Sequence, residues 1–244
     1  MKFNSFQLKL IALILMFTEH VGRFLEELLP ARLPLYLRYA GRVVAPIFVF
    51  LVVESFFKTR DRKRYILRLY LWAFIMQAGN IILSYLVQSA FHPVNYYAMD
   101  HNVMLSLATG VSTIAALEWA RSQRGYRQWF GYALGVLFGI ASLYTEASVF
   151  GLAIFLIFYF LHDKKPWVYY AYTALCLIVL AWNLHYFDHF WEFEFQWMMI
   201  AALPFFILYN GERGRFSLKY LFYSFYPLHL WSLYLLRFAL RLGG

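Results

Sequence analysis

Charge is scarce in this 244-residue chain: only 14% of residues are Asp, Glu, Lys or Arg, against about 25% in soluble domains. That deficit, with 62% apolar residues and a mean hydropathy of +0.55, excludes a soluble globular domain and a disordered chain. Cysteine is nearly absent. The one present, Cys176, excludes an intramolecular disulfide and any cysteine-based zinc site. Alternating short strands are also missing, which argues against a transmembrane barrel. No linker, low-complexity stretch or internal repeat period is visible. What remains is a chain with 22% aromatic residues and a net charge of +9. On a soluble protein that charge would point to nucleic acid. On a membrane protein its placement matters more than its size.

Nine apolar runs emerge, at 6–21, 39–57, 65–88, 102–120, 129–143, 147–161, 167–187, 195–209 and 216–240. Each crosses, or nearly crosses, a hydrocarbon core of about 30 Å as a helix. The fold expected is all-α: a polytopic transmembrane helix bundle forming a single domain over 1–244. The first run ends in Thr18-Glu19-His20 with no small-residue cleavage site, so it reads as a retained span and not a signal peptide. Loop charge tests the count. The second loop carries Lys58, Arg60, Arg62, Lys63 and Arg64, with Arg68 just beyond, and is cytoplasmic by the positive-inside rule. Alternation then puts Lys2, Lys9, Arg121, Arg124, Arg127, Lys164, Lys165, Arg213, Arg215 and Lys219 on the same side. Sixteen of the 22 basic residues fall inside, and six (Arg23, Arg32, Arg38, Arg42, Arg237 and Arg241) fall outside. The predicted topology has the N-terminus in the cytoplasm and the C-terminus outside. The location is a multi-pass protein of the cell membrane, the bacterial cytoplasmic membrane, with membrane lipids as its surroundings.

Ionisable groups in or beside spans are the default functional candidates in such a protein. Glu19, His20, Arg42, Asp100, His101 and Glu146 share one depth, toward the outer leaflet, and could converge on one pocket. Glu54 lies deeper in its span and needs a partner, which an Arg or Lys would supply. Asn102, Tyr226 and His229 add polar groups beside them. Lys9 and His20 are eleven residues apart, about 16 Å along a helix and close to three turns, so they share a face. Plainer roles stay open for several of these. His20 and Glu19 could cap a helix end, Arg42 could snorkel outward, and the Lys58–Arg64 run could serve only as a topology signal with anionic lipid contact. Asp188, His185 and His189 resemble a metal cluster by composition, but no further ligand lies close by in sequence, so no metal site is expected.

Four stretches, 8–22, 37–68, 102–110 and 202–235, carry a resemblance. The most specific are the GR-x-x-x-PIF-x-FL-x-x-E block, from Gly41 and Arg42 through Pro46, Ile47, Phe48, Phe50 and Leu51 to Glu54, and the YNG…FYPLH block that includes Asn210 and His229. The whole chain resembles the TraX family of integral membrane proteins, whose founding member is implicated in N-terminal acetylation of conjugative pilin. The family usually has Asp before the first-helix His, where this chain has Glu19. It usually has Asp-Tyr-Gly where this chain has Thr145-Glu146-Ala147. Both differences keep a carboxylate. More distantly the family is similar to OafA-type membrane acyltransferases and to heparan-α-glucosaminide acetyltransferase. The former carry a basic residue, ten residues, then His in the first helix, the spacing of Lys9 and His20.

The resemblance implies acyl transfer from cytoplasmic acyl-CoA, acetyl-CoA in the first instance, to an amine or hydroxyl at the outer side. The acceptor could be a pilin N-terminus, an envelope glycan, a lipid or a small molecule. No metal and no nucleic acid enter. His20 would be the base or the acyl-carrying nucleophile, Glu19 or Glu146 its orienting carboxylate, and Arg42 the oxyanion donor. Glu54, Asp100, His101, Asn102, Glu146, Tyr226 and His229 would line the pocket. Lys9, Lys58, Arg62, Arg64, Arg68, Asn210, Arg213 and Lys219 would meet the CoA phosphates and head group. The competing expectation is a proton-coupled transporter or flippase using Glu54, Arg42 and His229 as a relay. Against it stand an odd helix count and the lack of paired Gly/Pro-broken helices in two halves.

Overall fold

The computed structural model describes residues 2–91, 99–186, 195–214 and 219–240, and they are dominated by helix. These are α1 (Ser5–Phe24), a 3-10 turn (Glu26–Leu28), α2 (Leu33–Gly41), α3 (Val44–Lys58), α4 (Arg62–Phe91), α5 (Val103–Ser122), α6 (Tyr126–Leu143), α7 (Ser148–Phe160) and α8 (Lys165–Tyr186). A 3-10 segment (Gln196–Ala202) then leads into the short α9 (Leu203–Ile207), and α10 (Lys219–Ala239) follows. Among the described residues five helical stretches are long and apolar enough to cross a membrane: Ser5–Phe24, Leu33–Lys58, Arg62–Ala90, Val103–Ser122 and Lys165–His185. The expectation of an all-α membrane bundle holds.

Two details differ from the apolar-run reading. The second run is broken where α2 ends at Gly41 and α3 starts at Val44, so Arg42 sits at a helix junction within the Leu33–Lys58 stretch. The eighth run is a 3-10 turn followed by five α-helical residues with Pro204 near their start. Pro is accepted at the first helical turn because its missing N–H is one of the unsatisfied donors there.

The chain divides into two compact units. The first comprises Met1–Phe48, Gly79–Asp100 and Tyr169–Gly244; the second comprises Val49–Ala78 and His101–Val168. In the first, α1 opens with a reciprocal cap. The Gln7 N–H donates to Asn4 Oδ1 at 2.9 Å and the Asn4 N–H to Gln7 Oε1 at 3.0 Å, which satisfies two of the orphan donors of a helix start. Leu8, Ala12, Leu13, Met16 and His20 are buried along one stripe of this helix. The residues ahead of it are clamped to a distant segment: the Phe3 N–H donates to the Leu208 carbonyl at 2.8 Å, and the Asn210 N–H to the Phe3 carbonyl at 2.9 Å, in a parallel bridge. Helices α1 and α10 run parallel. Lys9 lies over Phe222, Phe17 against Phe225, His20 against His229 and Phe24 against Tyr234, in rising order on both.

In the second unit α5 is capped by Asn102, whose Oδ1 accepts from the Leu105 N–H at 3.1 Å. Helices α5 and α6 pack closely along the Gly131, Gly135 and Gly139 stripe of α6. A Cβ at Gly131 would stand 2.7 Å from the Cβ of Ala120 and 2.9 Å from its Cα, and one at Gly135 would stand 2.9 Å from Leu117. Small residues at four-residue spacing let two helices approach in lipid, where the hydrophobic effect does not drive them together.

Candidate active site

Consecutive residues on an α-helix point about 100° apart, so Glu19 and His20 of α1 serve different neighbours within the first unit. Glu19 turns toward the α2–α3 junction and forms an ion pair with Arg42. Its side chain is 14% exposed and that of Arg42 28%. Gly41 makes room for this pair, because a Cβ there would overlap the Glu19 carboxyl group. The guanidinium also donates from Nη1 to Gln196 Oε1 at 3.3 Å and lies over the ring of Phe195, 5.3 Å from its centroid. The Arg42 Nε is buried and has no hydrogen-bond partner among the described residues.

His20 turns toward α10. Its Nδ1 lies 3.0 Å from Nε2 of His229, and the His229 Nδ1 lies 2.7 Å from the Phe225 carbonyl oxygen. Both rings are buried, at 7% and 6% exposure. Phe225 stacks on the His229 ring at 4.8 Å and 18°, while Tyr226, itself buried, meets it edge-on at 5.8 Å. Pro227 stands in this helix, where it removes one backbone N–H from the ladder. Lys9, farther along α1, holds its ammonium over the Phe222 ring at 5.2 Å, within electrostatic reach of Arg213. No carboxylate pairs with Lys9 among the described residues. Asn210 folds back on its own loop, with Nδ2 donating to Glu212 at 3.0 Å and Oδ1 accepting from the Glu212 N–H at 2.9 Å. Asp100 is exposed.

The second unit holds the remaining candidates. His101 is buried, with Nδ1 3.5 Å from Glu146 Oε1. Asn102 donates to the Ala73 carbonyl at 3.0 Å and to Gln77 at 3.2 Å, which ties the start of α5 to α4. Glu54 finds the cationic partner its depth demands: Lys58 at 2.7 Å, together with His162 Nε2 at 3.0 Å. The other nitrogen of His162 faces Asp163 at 3.0 Å, and its ring lies 4.0 Å from that of Phe57. Arg62 pairs with Glu118 at 2.6 Å and Arg64 with Asp61 at 3.0 Å. Three of the cations expected to meet CoA, Lys58, Arg62 and Arg64, thus carry internal carboxylate partners. Arg68 is half-buried. The side chain of Lys219, the loop residue Arg215, and Asp188 and His189 lie outside the described residues.

The sequence reading missed three contributors. Gln196 and the Phe225 carbonyl bear no signal, since a backbone oxygen is present everywhere and a lone Gln at a segment start is unremarked. His162 was findable only from the need of Glu54 for a partner.

A sequence profile described as TraX protein matches residues 5–237. The chain is 26% identical over 236 residues to a protein of Dichelobacter nodosus named "Probable fimbrial assembly protein FimC, serogroup H1", and the alignment covers 93% of each chain. No solved structure matches.

Proposed function

The chain belongs to the TraX family, and from that premise we propose that it is an acyltransferase of the bacterial cytoplasmic membrane, moving an acyl group from cytoplasmic acyl-CoA to an amine or hydroxyl at the outer side. The observation that carries the reading is the buried imidazole pair of His20 and His229, with Glu19, next to His20 in α1, in an ion pair with Arg42. A buried imidazole and, at the next position of the same helix, a carboxylate paired with a half-buried guanidinium are costly to keep in a purely structural bundle. The imidazole and the guanidinium are the two groups that acyl transfer needs.

His20 takes the proton from the acceptor as its nitrogen or oxygen attacks the thioester carbon. The C–S bond then breaks, and the thiolate of CoA takes the proton back from His20, leaving free CoA and the acylated acceptor. Arg42 uses one N–H of each Nη on Gln196 and Glu19, which leaves three of its five guanidinium donors, the Nε–H among them, for the carbonyl oxygen as that oxygen gains charge. Lys9, which lies over Phe222 within electrostatic reach of Arg213 and has no carboxylate partner among the described residues, suits the phosphates of CoA better than the internally paired Lys58, Arg62 and Arg64. The parallel run of α1 and α10 agrees with a topology that starts both on the cytoplasmic side. The name of the Dichelobacter relative makes a fimbrial subunit the first acceptor to test.

Purified protein in lipid nanodiscs is expected to bind acyl-CoA. His20→Ala is expected to lose roughly 10²–10⁴ of transfer rate while keeping acyl-CoA binding and thermal stability. Full activity in that variant overturns the assignment. Mass spectrometry of envelope components with and without the protein, seeking a shift of one acyl group, identifies the acceptor.

A further inference from the structure

We infer that His229 is a positioning residue that fixes the tautomer of His20, so that the reacting nitrogen of His20 is Nε2. The inference starts from the backbone. A carbonyl oxygen only accepts, so His229 Nδ1, 2.7 Å from the Phe225 oxygen, carries the proton. In a neutral imidazole the other nitrogen then holds the lone pair. That nitrogen, Nε2, lies 3.0 Å from His20 Nδ1, so His20 is the donor and its proton is on Nδ1. The lone pair of His20 is left on Nε2.

The assignment is for neutral rings, in which one nitrogen of each imidazole donates and the other accepts. The second ring is held in place from several sides: Phe225 stacks on it, Tyr226 meets its edge, and Phe17 of α1 lies 6.2 Å away. Phe225 thus anchors His229 through its carbonyl and its ring together. No third His, Cys, Asp or Glu joins the two imidazoles among the described residues, so the short contact reads as a hydrogen bond between rings.

The tautomer is not the one imidazole prefers in water, where the proton favours Nε2. A neighbour must therefore select it. In a serine-protease triad that selection falls to a carboxylate. Here a neutral imidazole anchored on a helix carbonyl does the same. When Nε2 of His20 takes the acceptor proton, Nδ1–H stays on His20 and its bond to His229 strengthens, because the donor has become cationic.

The kinetic part of this inference rests on the acyl-transfer reading; the tautomer part does not. The test uses the full chain in nanodiscs, labelled with ¹⁵N-histidine, with the His20 resonances identified by their loss in His20→Gln. The wild type is expected to show His20 protonated on Nδ1 and bare on Nε2. His229→Gln, whose amide oxygen can replace the accepting nitrogen, is expected to keep that tautomer. His229→Leu is expected to release it to the Nε2–H form. Transfer by His229→Leu is expected to fall roughly 100-fold or more in kcat, with KM for acyl-CoA within about threefold, and His229→Gln is expected to recover part of the loss. A wild-type His20 protonated on Nε2, a tautomer unmoved by His229→Leu, or a stoichiometric metal ion bridging the rings overturns the inference. The expected tautomers in a protein that transfers no acyl group would retain it and overturn the acyl-transfer reading.

Discussion

The ion pair between Glu19 and Arg42 should show strong energetic coupling, because neither side chain is fully solvated. With exposures of 14% and 28%, an effective dielectric of about 20 is appropriate, and two unit charges about 4 Å apart then attract by about 4 kcal/mol. Removing one partner leaves the other partly buried. Arg42→Met and Glu19→Gln are each expected to cost about 3 kcal/mol, the low end for breaking a buried pair. The double variant is expected to cost well under the sum, with a coupling of about 2–3 kcal/mol. Equilibrium unfolding in mixed micelles, followed by far-UV circular dichroism, supplies the four free energies. Gly41→Ala gives an independent route to the same pair, since its methyl group would overlap the Glu19 carboxyl. It should destabilise the wild type and be tolerated in a Glu19→Ala background, where the carboxyl is gone. Additivity of the two single changes within about 0.5 kcal/mol would refute the reasoning, as each charge would then be solvated independently.

Two further outcomes follow from the packing and the charge. Gly131→Leu should destabilise the protein by about 1–3 kcal/mol, because the new side chain meets the backbone of Ala120 as well as its methyl group; an unchanged unfolding midpoint would mean that α5 and α6 do not pack as described. Lys9→Met should weaken acyl-CoA binding about tenfold, the worth of one charge-assisted hydrogen bond, and leave the binding of an acyl-pantetheine without nucleotide phosphates unaltered. Equal loss for both ligands, read by isothermal titration, would remove Lys9 from any phosphate contact.

Helix positions were legible in the sequence for a simple physical reason. A span in lipid must be apolar and must satisfy its backbone internally, so the runs and their charged boundaries mark helices with little help from tertiary structure. The break at Arg42 was not legible in the same way. The run from Tyr39 to Phe57 holds Arg42 and Glu54 as its only charged residues, and at the junction where α2 ends and α3 begins Arg42 pairs with Glu19 of another helix. The face shared by Lys9 and His20 was also readable, because it depends on helix periodicity alone. Their partners were not. His229 lies 209 residues from His20, and Gln196 lies 154 from Arg42; contacts at such separations are set by how helices pair, which composition and spacing do not encode. The same holds for Glu19, expected from its place beside His20 to orient that ring. Adjacent helical positions diverge, and the carboxylate is seen with Arg42, while the imidazole is seen with His229.

The clamp between Phe3 and the 208–210 segment has a consequence for biogenesis. Phe3 pairs with residues made some two hundred positions later. At about 5–20 residues per second, Phe3 waits roughly ten to forty seconds for its partner. During that interval the start of α1 has its own Asn4–Gln7 cap and no bridge, so insertion of the first span precedes its anchoring. The clamp closes as a late step, after most of the intervening helices have entered the bilayer.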